Sequence, residues 1–392
     1  MIRFAIYLRC QSPRAYESLR ESGVLRLPNQ ATLRDYTNFI QPKSGFQAEA
    51  FQELKKVAKD LPSEKKYVCL LHDEMKVKSD LVYDRRSEQV IGFTNPETWT
   101  FDEDETKRIA THVLVFMVIG INSNIKMSIG HFPTRSSTAD ELFPLLWKAV
   151  AYLEITCGLK VISSTSDKAS PNQRLYRLHR TGNEDVVFFA DNPFSEEKRN
   201  IYFFSDVPHL IKTIRNNVHK SRPGGTKYLW NTNSNILWSH VETVYNDDMQ
   251  GQLYRTKLKY DHVYLTPSST MNVRLAAQVL SRSVGRIMSA YYGPEMAETS
   301  KFFQLVDRFF DCLNGRSLHE AIRTRKPDLA PYKQADDPRF EFLRGEFLDY
   351  FSNWQASVTA RPGFTKQERN KMVLSHQTIE GIIMTGEMNL LV

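Results

Sequence analysis

Two aspartates at the ends of two apolar segments are the residues with which this sequence could do chemistry. Asp73 follows the apolar run 67–72, and Asp167 follows the run 159–166. Each run has the length and composition of a buried strand. Two carboxylates placed side by side by strand pairing would suit a divalent metal ion and chemistry on phosphates. On the residues alone, Asp73 could instead occupy a turn, and Asp167 could cap the helix that follows it.

A third carboxylate could come from a helix near the end of the sequence. Met372, Ile379 and Ile383 form an apolar stripe on this predicted helix. At about 100° per residue, Glu380 lies roughly 80° from the centre of that stripe. This position is the edge of the buried face, from which a side chain could reach the margin of a sheet. Without further information, a solvated helix charge is the favoured interpretation of Glu380.

The segment 206–217 forms a second group of polar residues on a predicted helix. Pro208 suits a first helical turn, and His209, Lys212 and Asn216 share one face at spacings of three and four. A strand that ends in Asp206 and leads into this helix could present a phosphate site at the helix N-terminus. The alternative is an amphipathic helix with a solvated face. The sequence contains no G-x-x-x-x-G-K-[ST] motif, so a nucleotide site here would not be a P-loop.

The order of predicted elements favours an α/β fold with a mixed sheet. A capping box of Thr138 and Glu141 opens a helix over 138–156, whose apolar face repeats every three to four residues. Early strands joined as an antiparallel meander, then alternating helices and strands, are the order of an RNase H-like domain. The predicted strands cover 66–77, 80–84, 88–94, 111–131, 159–166 and 201–205. Further helices are predicted over 47–60 and 171–180. The first of these has Phe51, Leu54 and Val57 on one face.

The two ends of the sequence are predicted to be helical. Residues 1–45 contain helices over 14–22 and, capped by Thr32, over 33–40, which suggests a small helix-turn-helix; an ordinary helical hairpin fits as well. Residues 206–365 are mostly helical. One last helix follows 362–363, with a second capping box at Thr365 and Glu368.

Composition narrows the class of protein. The 392 residues carry a net charge of +7 with a pI near 9.0, which favours polyanionic partners. Four scattered cysteines form no C-x-x-C pair, so a zinc finger within the sequence is not expected. The longest apolar run, 113–121, is about half a membrane span, and we expect a soluble intracellular protein. HExxH and GxSxG motifs are absent, which disfavours zinc proteases and serine hydrolases.

Several stretches in order resemble the P-element-type transposases, a family that often carries an N-terminal THAP zinc finger. Each motif is weak alone, but the ordered set extends over most of the chain. The stretches are Leu71–Lys78, Val90–Phe93, Thr165–Asp167 with Asn172, Asp206–Asn217, Met271–Ser281, Phe310–Asn314 and Thr378–Gly381. The segment 1–45 also resembles the helix-turn-helix region that follows the family's zinc finger.

The resemblance implies an RNase H-like domain split by a helical GTP-binding insertion. The expected boundaries are 1–45 for the helix-turn-helix, 46–206 for the first part of the RNase H-like domain, 207–365 for the insertion, and 366–392 for the final RNase H-like helix. The family's DDE set, which works with Mg²⁺ or Mn²⁺, falls on Asp73, Asp167 and Glu380. The guanine-nucleotide motif falls on Asp206 and Lys212, and His209 and Asn216 are added because they share the helix face of the lysine.

The function implied is DNA transposition: hydrolysis of a phosphodiester at a transposon end, then attack of the freed 3′-hydroxyl on target DNA. The implied partners are DNA, GTP and further copies of the chain, in the nucleus and without a membrane. The sequence shows no THAP finger before Met1 and ends soon after Glu380, so we expect either a fragment of a transposase gene or a shortened, domesticated copy. The alternatives are a GTP- and DNA-binding protein without productive catalysis, and a degenerate relic.

Overall fold

The computed structural model describes residues 1–37, 43–84, 88–94, 108–182, 186–251, 255–315 and 317–388. Its strands are β1 (Gly45–Phe46), β2 (Tyr67–Lys76), β3 (Val82–Asp84), β4 (Gln89–Ile91), β5 (His112–Gly120), β6 (Lys126–Thr134), β7 (Lys160–Ser166), β8 (Phe189–Asp191), β9 (Asn200–Ser205), β10 (Leu229–Asn231) and β11 (Ser234–Ile236).

Helices surround these strands and dominate the second half of the chain. The first group is α1 (Ile2–Gln11), α2 (Pro13–Glu21), α3 (Gln30–Thr37), α4 (Ala48–Lys59), α5 (Ala139–Ala151), α6 (Ser170–Arg177), α7 (Val207–Lys220), α8 (Trp238–Gln250) and α9 (Tyr260–Val263). The second is α10 (Pro267–Thr270), α11 (Val273–Val279), α12 (Arg282–Tyr291), α13 (Ala297–Leu313), α14 (Leu318–Thr324), α15 (Pro338–Phe342), α16 (Leu348–Ala360), α17 (Lys366–Met372) and α18 (His376–Met388).

The central sheet has seven strands in the order β1-β6-β5-β2-β7-β9-β8. Strand β2 pairs antiparallel with β5 and parallel with β7, and β7 pairs parallel with β9. The predicted α/β class with a mixed RNase H-like sheet is therefore confirmed. The predicted strand 111–131 is in fact two strands, β5 and β6, because the chain turns between Gly120 and Lys126. The segments β3 and β4 form a separate ribbon outside this sheet.

Helices α4, α5 and α6 lie next to the sheet, and local signals predicted them well. The Thr138–Glu141 capping box opens α5 as expected, and a π-helical turn over Tyr152–Thr156 continues it. The apolar face of α5 packs with Leu70 and Phe116 of the sheet in one buried cluster. On α4, Val57 was assigned to the apolar face but is 39% exposed, and Ala58 is buried there instead.

The N-terminal residues form three short helices around Ala5, Tyr16 and Leu33. Helix α2 stops before Gly23, whose φ of +70° lies in the left-handed region that glycine adopts without strain. The predicted Thr32 cap is replaced by Asn29, whose Oδ1 accepts from the Thr32 amide at 2.7 Å, so α3 begins at Gln30. The predicted end at Ile40 lies outside the described residues.

The insertion after β9 is mostly helical, as predicted, with one small hairpin of β10 and β11. Its helices enclose an apolar core that includes Trp238, Phe302, Phe309 and Trp354. A second π-helical turn, Leu343–Phe347, precedes α16. No helix within the described parts of the chain combines the length and the apolar character that a membrane crossing needs.

The predicted last helix is interrupted. The Thr365–Glu368 capping box is present, but it opens α17, which ends at Met372. The chain then bends through Val373–Ser375, where the Ser375 amide donates to Asn217 Oδ1 at 3.0 Å, and α18 begins at His376. Met372 therefore does not share a helix with Ile379, and the stripe drawn through both residues was wrong.

Candidate active site at the carboxyl edge of the sheet

Three aspartates lie in one row across neighbouring parallel strands. The register pairs Leu71 of β2 with Thr165 of β7, so Asp73 and Asp167 follow at the same level, two residues further along. Asp206 extends the row, because Ser166 pairs with Ser205 and the Asp206 amide donates to the Ser166 carbonyl at 2.8 Å. Adjacent strands are about 4.8 Å apart, so the carboxyl groups of neighbours in this row lie close together.

The charges in this row act on one another. Burial raises the pKa of Asp73, and the negative charges of Asp167 and Asp206 raise it further. Burial likewise raises the pKa of Asp206, although its hydrogen bond from the His209 amide and the charge of Lys212 oppose the rise. A raised carboxyl pKa beside other carboxylates indicates a site that would gain from a nearby cation.

Asp167 is fixed by hydrogen bonds from the start of α6. Its Oδ1 accepts from the Ala169 amide at 3.0 Å and from Asn172 Nδ2 at 2.7 Å. The other end of the Asn172 amide, Oδ1, lies 3.1 Å from Nε2 of the buried His72. Burial lowers the pKa of His72 to about 4, so this ring is neutral at pH 7 and can donate to Asn172 through Nε2.

Glu380 is buried beside two cations. Its side chain is only 4% exposed; Oε1 lies 3.5 Å from Lys168 Nζ, and Oε2 lies 2.9 Å from Arg177. His376, one turn earlier on α18, is 3.7 Å from Oε2. On the residues alone, Glu380 was expected to be a solvated helix charge. That interpretation was wrong, because residues far away in sequence enclose the carboxylate.

Helix α6 connects Asp167 and Glu380. Asn172, near its beginning, donates to Asp167, and Arg177, at its end, pairs with Glu380. Lys168 follows Asp167 directly and reaches back to Glu380, with its ammonium 5.8 Å from the centre of the Tyr176 ring. Burial lowers the pKa of Lys168 to about 8 while the charge of Glu380 opposes the shift. Glu380 thus lies close to the row of aspartates, but its charge is already balanced.

The donor set can be tested against a divalent ion. Oxygen ligands suit Mg²⁺ and Mn²⁺, and protein sites often supply only one or two carboxylates, with waters and substrate phosphates completing the shell. Asp73 and Asp167 fit this chemistry. Within the described ranges, however, no three acidic, histidine or cysteine side chains are close enough together to hold a metal ion. Glu380 is turned towards Lys168 and Arg177 instead.

The residues predicted to contact GTP lie along α7, next to the same edge. Asp206 Oδ2 accepts from the His209 amide at 3.1 Å, so a carboxylate already occupies the helix N-terminus that a phosphate would use. His209 lies close enough for its charge to act on Asp73 and Asp206. Lys212 is half-buried one turn further on. Asn216 donates through Nδ2 to the Thr270 carbonyl at 3.3 Å, and its Oδ1 accepts from Arg215 Nε. It therefore anchors the end of α10 to α7.

Sequence reasoning missed the residues that hold the acids in place. Lys168 and Arg177 received no role, and Asp206 was assigned to GTP only, although it stands in the row of carboxylates. A cation directly after Asp167 was a visible signal in the sequence for Lys168. No local pattern could have paired Arg177 with Glu380, since 203 residues separate them.

The sheet with its two aligned aspartates, followed by the helical insertion, has the architecture of the RNase H-like proteins that carry an insertion domain. The TNP-like RNase H N-terminal domain matches residues 42–180, and the TNP-like GTP-binding insertion domain matches residues 208–327. The chain therefore belongs to the P-element-type transposase family, as its motifs indicated.

Known relatives agree with this assignment. The chain is 24% identical to human DNA transposase THAP9 over 329 residues and 27% identical to the Drosophila melanogaster transposable element P transposase over 333 residues. These alignments include 81% and 83% of this chain but only 35% and 40% of the two relatives, so the chain spans less than half of their length. In fold, it resembles the Drosophila P element transposase strand transfer complex, with a TM-score of 0.69, 22% identity, and 99% of this chain and 78% of that chain covered.

Proposed function

We propose that this chain carries a DDE-type catalytic core that hydrolyses and rejoins DNA phosphodiesters at transposon ends. The observation that supports it best is the alignment of Asp73 and Asp167 on adjacent parallel strands, with the pKa of Asp73 raised by burial and then by the charge of Asp167. Asp73 and Asp167 would hold Mg²⁺ or Mn²⁺, with Glu380 as the third acid. The metal would supply charge stabilisation for the attacked phosphate and its leaving oxygen.

The surrounding residues would position these acids. Asn172 fixes the carboxylate of Asp167, and α6 and Lys168 keep Glu380 beside the row. For Glu380 to serve as a ligand, it must exchange its ion pairs with Lys168 and Arg177 for the metal. DNA, whose phosphates attract cations, would offer Arg177 another partner, because this guanidinium is partly exposed.

The catalytic proposal is tested by DNA nicking with Mg²⁺ or Mn²⁺. We expect Asp167→Asn to lower the rate by at least about 100-fold, since a lost metal ligand removes electrostatic stabilisation of the transition state. Asp349→Asn makes the same chemical change at an exposed site on α16 and should nick like the wild type. Equal activity of Asp167→Asn and wild type would refute the assignment.

We further propose that GTP binds along α7 through Asp206 and Lys212 and acts as an assembly cofactor, with His209 and Asn216 nearby. Because Asp206 caps the first turn of α7, Lys212 rather than the helix N-terminus would meet the phosphates. The insertion model that matches this region is named for GTP binding, and Lys212 is half-buried one turn after Asp206. Lys212→Ala should weaken GTP binding at least about tenfold in a titration, as expected for a lost charge-assisted phosphate contact. Lys220→Ala, an exposed lysine on the same helix, is the matched control; equal affinity of both variants would mean that the nucleotide site is misplaced.

A second candidate is a GTP-dependent DNA-binding or assembly protein without productive catalysis. The buried pairing of Glu380 with Lys168 and Arg177 favours it, because a carboxylate that keeps these two cations is not available to a metal. Nicking by the wild type that Asp167→Asn abolishes would exclude this candidate. Both candidate functions imply DNA as a partner, a nuclear location and self-association. Size-exclusion chromatography with light scattering, with and without DNA, tests the self-association.

A further inference from the structure

A groove with a strong excess of positive charge lies between α12 and α13, within the insertion. Its volume is about 530 Å³. Arg282, Arg286, Lys301 and Arg308 line it, and Glu346 is the single acid among the lining residues. None of these residues belongs to the carboxylate row or to the proposed GTP contacts. The groove therefore requires its own explanation.

Close packing of the two helices gives the groove a fixed floor. A Cβ on Gly285 of α12 would lie 2.9 Å from the Ser300 carbonyl of α13, so only glycine permits this approach. Ser300 Oγ donates to the Gly285 carbonyl at 2.7 Å and ties the helices together. The cations on the two sides are thus presented by rigid helices rather than by loops.

The two arginines that α12 contributes to the groove are not neutralised locally. Residues 262–294 contain three arginines and no lysine, aspartate or glutamate. Arg282 and Arg286 make no ion pair or side-chain hydrogen bond among the described residues. Lys301 lies 5.4 Å from the centre of the Tyr350 ring. Arg308 is the paired cation among the four, at 3.4 Å from Glu346 and 3.7 Å from Asp328. Unpaired guanidinium groups on a rigid surface are suited to bind anions.

We propose that this groove binds the sugar-phosphate backbone of double-stranded DNA. Arg282 and Arg286 are separated by about 6 Å along α12, and Lys301 and Arg308 by about 10 Å along α13. One isolated phosphate could not engage all four cations, whereas a row of phosphates could. The proposal rests on the proposed function in taking DNA as the partner, and it adds a surface that holds DNA independently of catalysis.

The test measures binding of a short duplex of arbitrary sequence by fluorescence anisotropy in EDTA, where cleavage is not required. We expect the double variant Arg282→Gln/Arg286→Gln to bind at least about tenfold more weakly at roughly 0.1 M salt. The slope of log K against log salt concentration should shrink by about two, one for each lost phosphate contact. Glu346→Gln removes the only acid from the groove and should bind more tightly than wild type.

The matched control is Arg323→Gln/Lys333→Gln, which removes the same charge from exposed positions outside the groove. It should keep most of the wild-type affinity. The proposal would be overturned by equal losses in both double variants, by no loss in the groove variant, or by no duplex binding by the wild type. It would also be overturned if the groove variant lost only GTP binding and kept its affinity for the duplex. Wild-type protein that binds in EDTA without ever nicking DNA would leave the groove intact and refute catalysis instead.

Discussion

Lys168 and Glu380 form an ion pair in which both side chains are only 4% exposed. Charges that lose their hydration need a partner at close range, and removing one member of such a pair leaves the other uncompensated. Arg177 gives Glu380 a second cation at 2.9 Å, but its own side chain is 40% exposed. Lys168 is therefore the partner that shares the burial of Glu380.

We predict that Lys168→Met destabilises the protein by about 3 kcal/mol, the low end for breaking a buried ion pair, because Arg177 still reaches Glu380. A double-mutant cycle with Glu380→Gln in urea unfolding should give a coupling energy of about 1–3 kcal/mol. The matched control is Lys160→Met, whose pairing with the exposed Glu197 should contribute less than about 1 kcal/mol. A coupling energy near zero would show that the pair at Glu380 contributes no stability.

Single residues differed in how well the sequence predicted them. The side-by-side position of Asp73 and Asp167 could be predicted, because both end apolar runs and parallel pairing aligns such ends. The surroundings of Glu380 could not, since Lys168 precedes it by 212 residues. Burial of a charge depends on which distant residues meet it, and a helix pattern carries no such information.

At the scale of elements, α18 is the helix that carries Glu380, the proposed third acid. Gly381 follows Glu380 and faces the sheet: a Cβ there would lie 2.6 Å from Leu210, 3.1 Å from Lys168 and 3.2 Å from Ser205. The absence of a side chain at this position therefore lets α18 approach both α7 and β9.

We predict that Gly381→Ala destabilises the protein by about 1–3 kcal/mol through overpacking, despite the better helix propensity of alanine. The added methyl group should also displace α18 and so move Glu380 relative to Asp167. The rate of DNA nicking should therefore fall as well. Gly345→Ala is the matched control, since a Cβ at Gly345 has no neighbour within 4 Å. Thermal unfolding measures both variants; a Gly381→Ala protein as stable as wild type would contradict the packing argument.

Elements with local signals were predictable, and those shaped by distant contacts were not. The α5 capping box and apolar face lie within one helix, and both were confirmed. The interruption between α17 and α18 depends on Asn217, which binds the Ser375 amide across 158 residues. The apolar periodicity of the sequence therefore predicted one continuous helix where the structure has two. The short strands β1 and β8 have too few residues for a pattern and were also missed.

The whole molecule contains two large apolar cores, one on the sheet and one in the helical insertion. Each holds a histidine at low pKa: burial lowers the pKa of His72 to about 4, and burial with nearby arginines lowers that of His219 to about 4. In the unfolded chain both would titrate near 6.5. Each of these two histidines therefore binds fewer protons in the folded protein than in the unfolded chain between these two pH values.

Acid should accordingly remove the stability that these two neutral histidines contribute. The stability that neutral histidines contribute is fully present above pH 6.5 and is lost as the pH falls towards 4, up to about 3 kcal/mol for each residue. We predict that His219→Gln lessens the fall in the free energy of unfolding between these pH values by up to about 3 kcal/mol, the contribution of this one residue. His319→Gln, on an exposed turn of α14, should leave it unchanged. If the free energy of unfolding of His219→Gln fell with pH as steeply as that of the wild type, the low pKa assigned to His219 would be contradicted.

Helix α18 belongs to both cores, because Ile379 and Ile382 pack in the helical one and Met384 packs in the sheet. The sheet strands and this helix are far apart in sequence, so their contact closes a very long loop. Loop closure of this kind slows folding, and the ribosome must have released the whole insertion before it can occur. A nascent chain whose insertion has misfolded would consequently fail to bring Glu380 to the sheet, and under the proposed catalysis it would emerge unable to cut DNA.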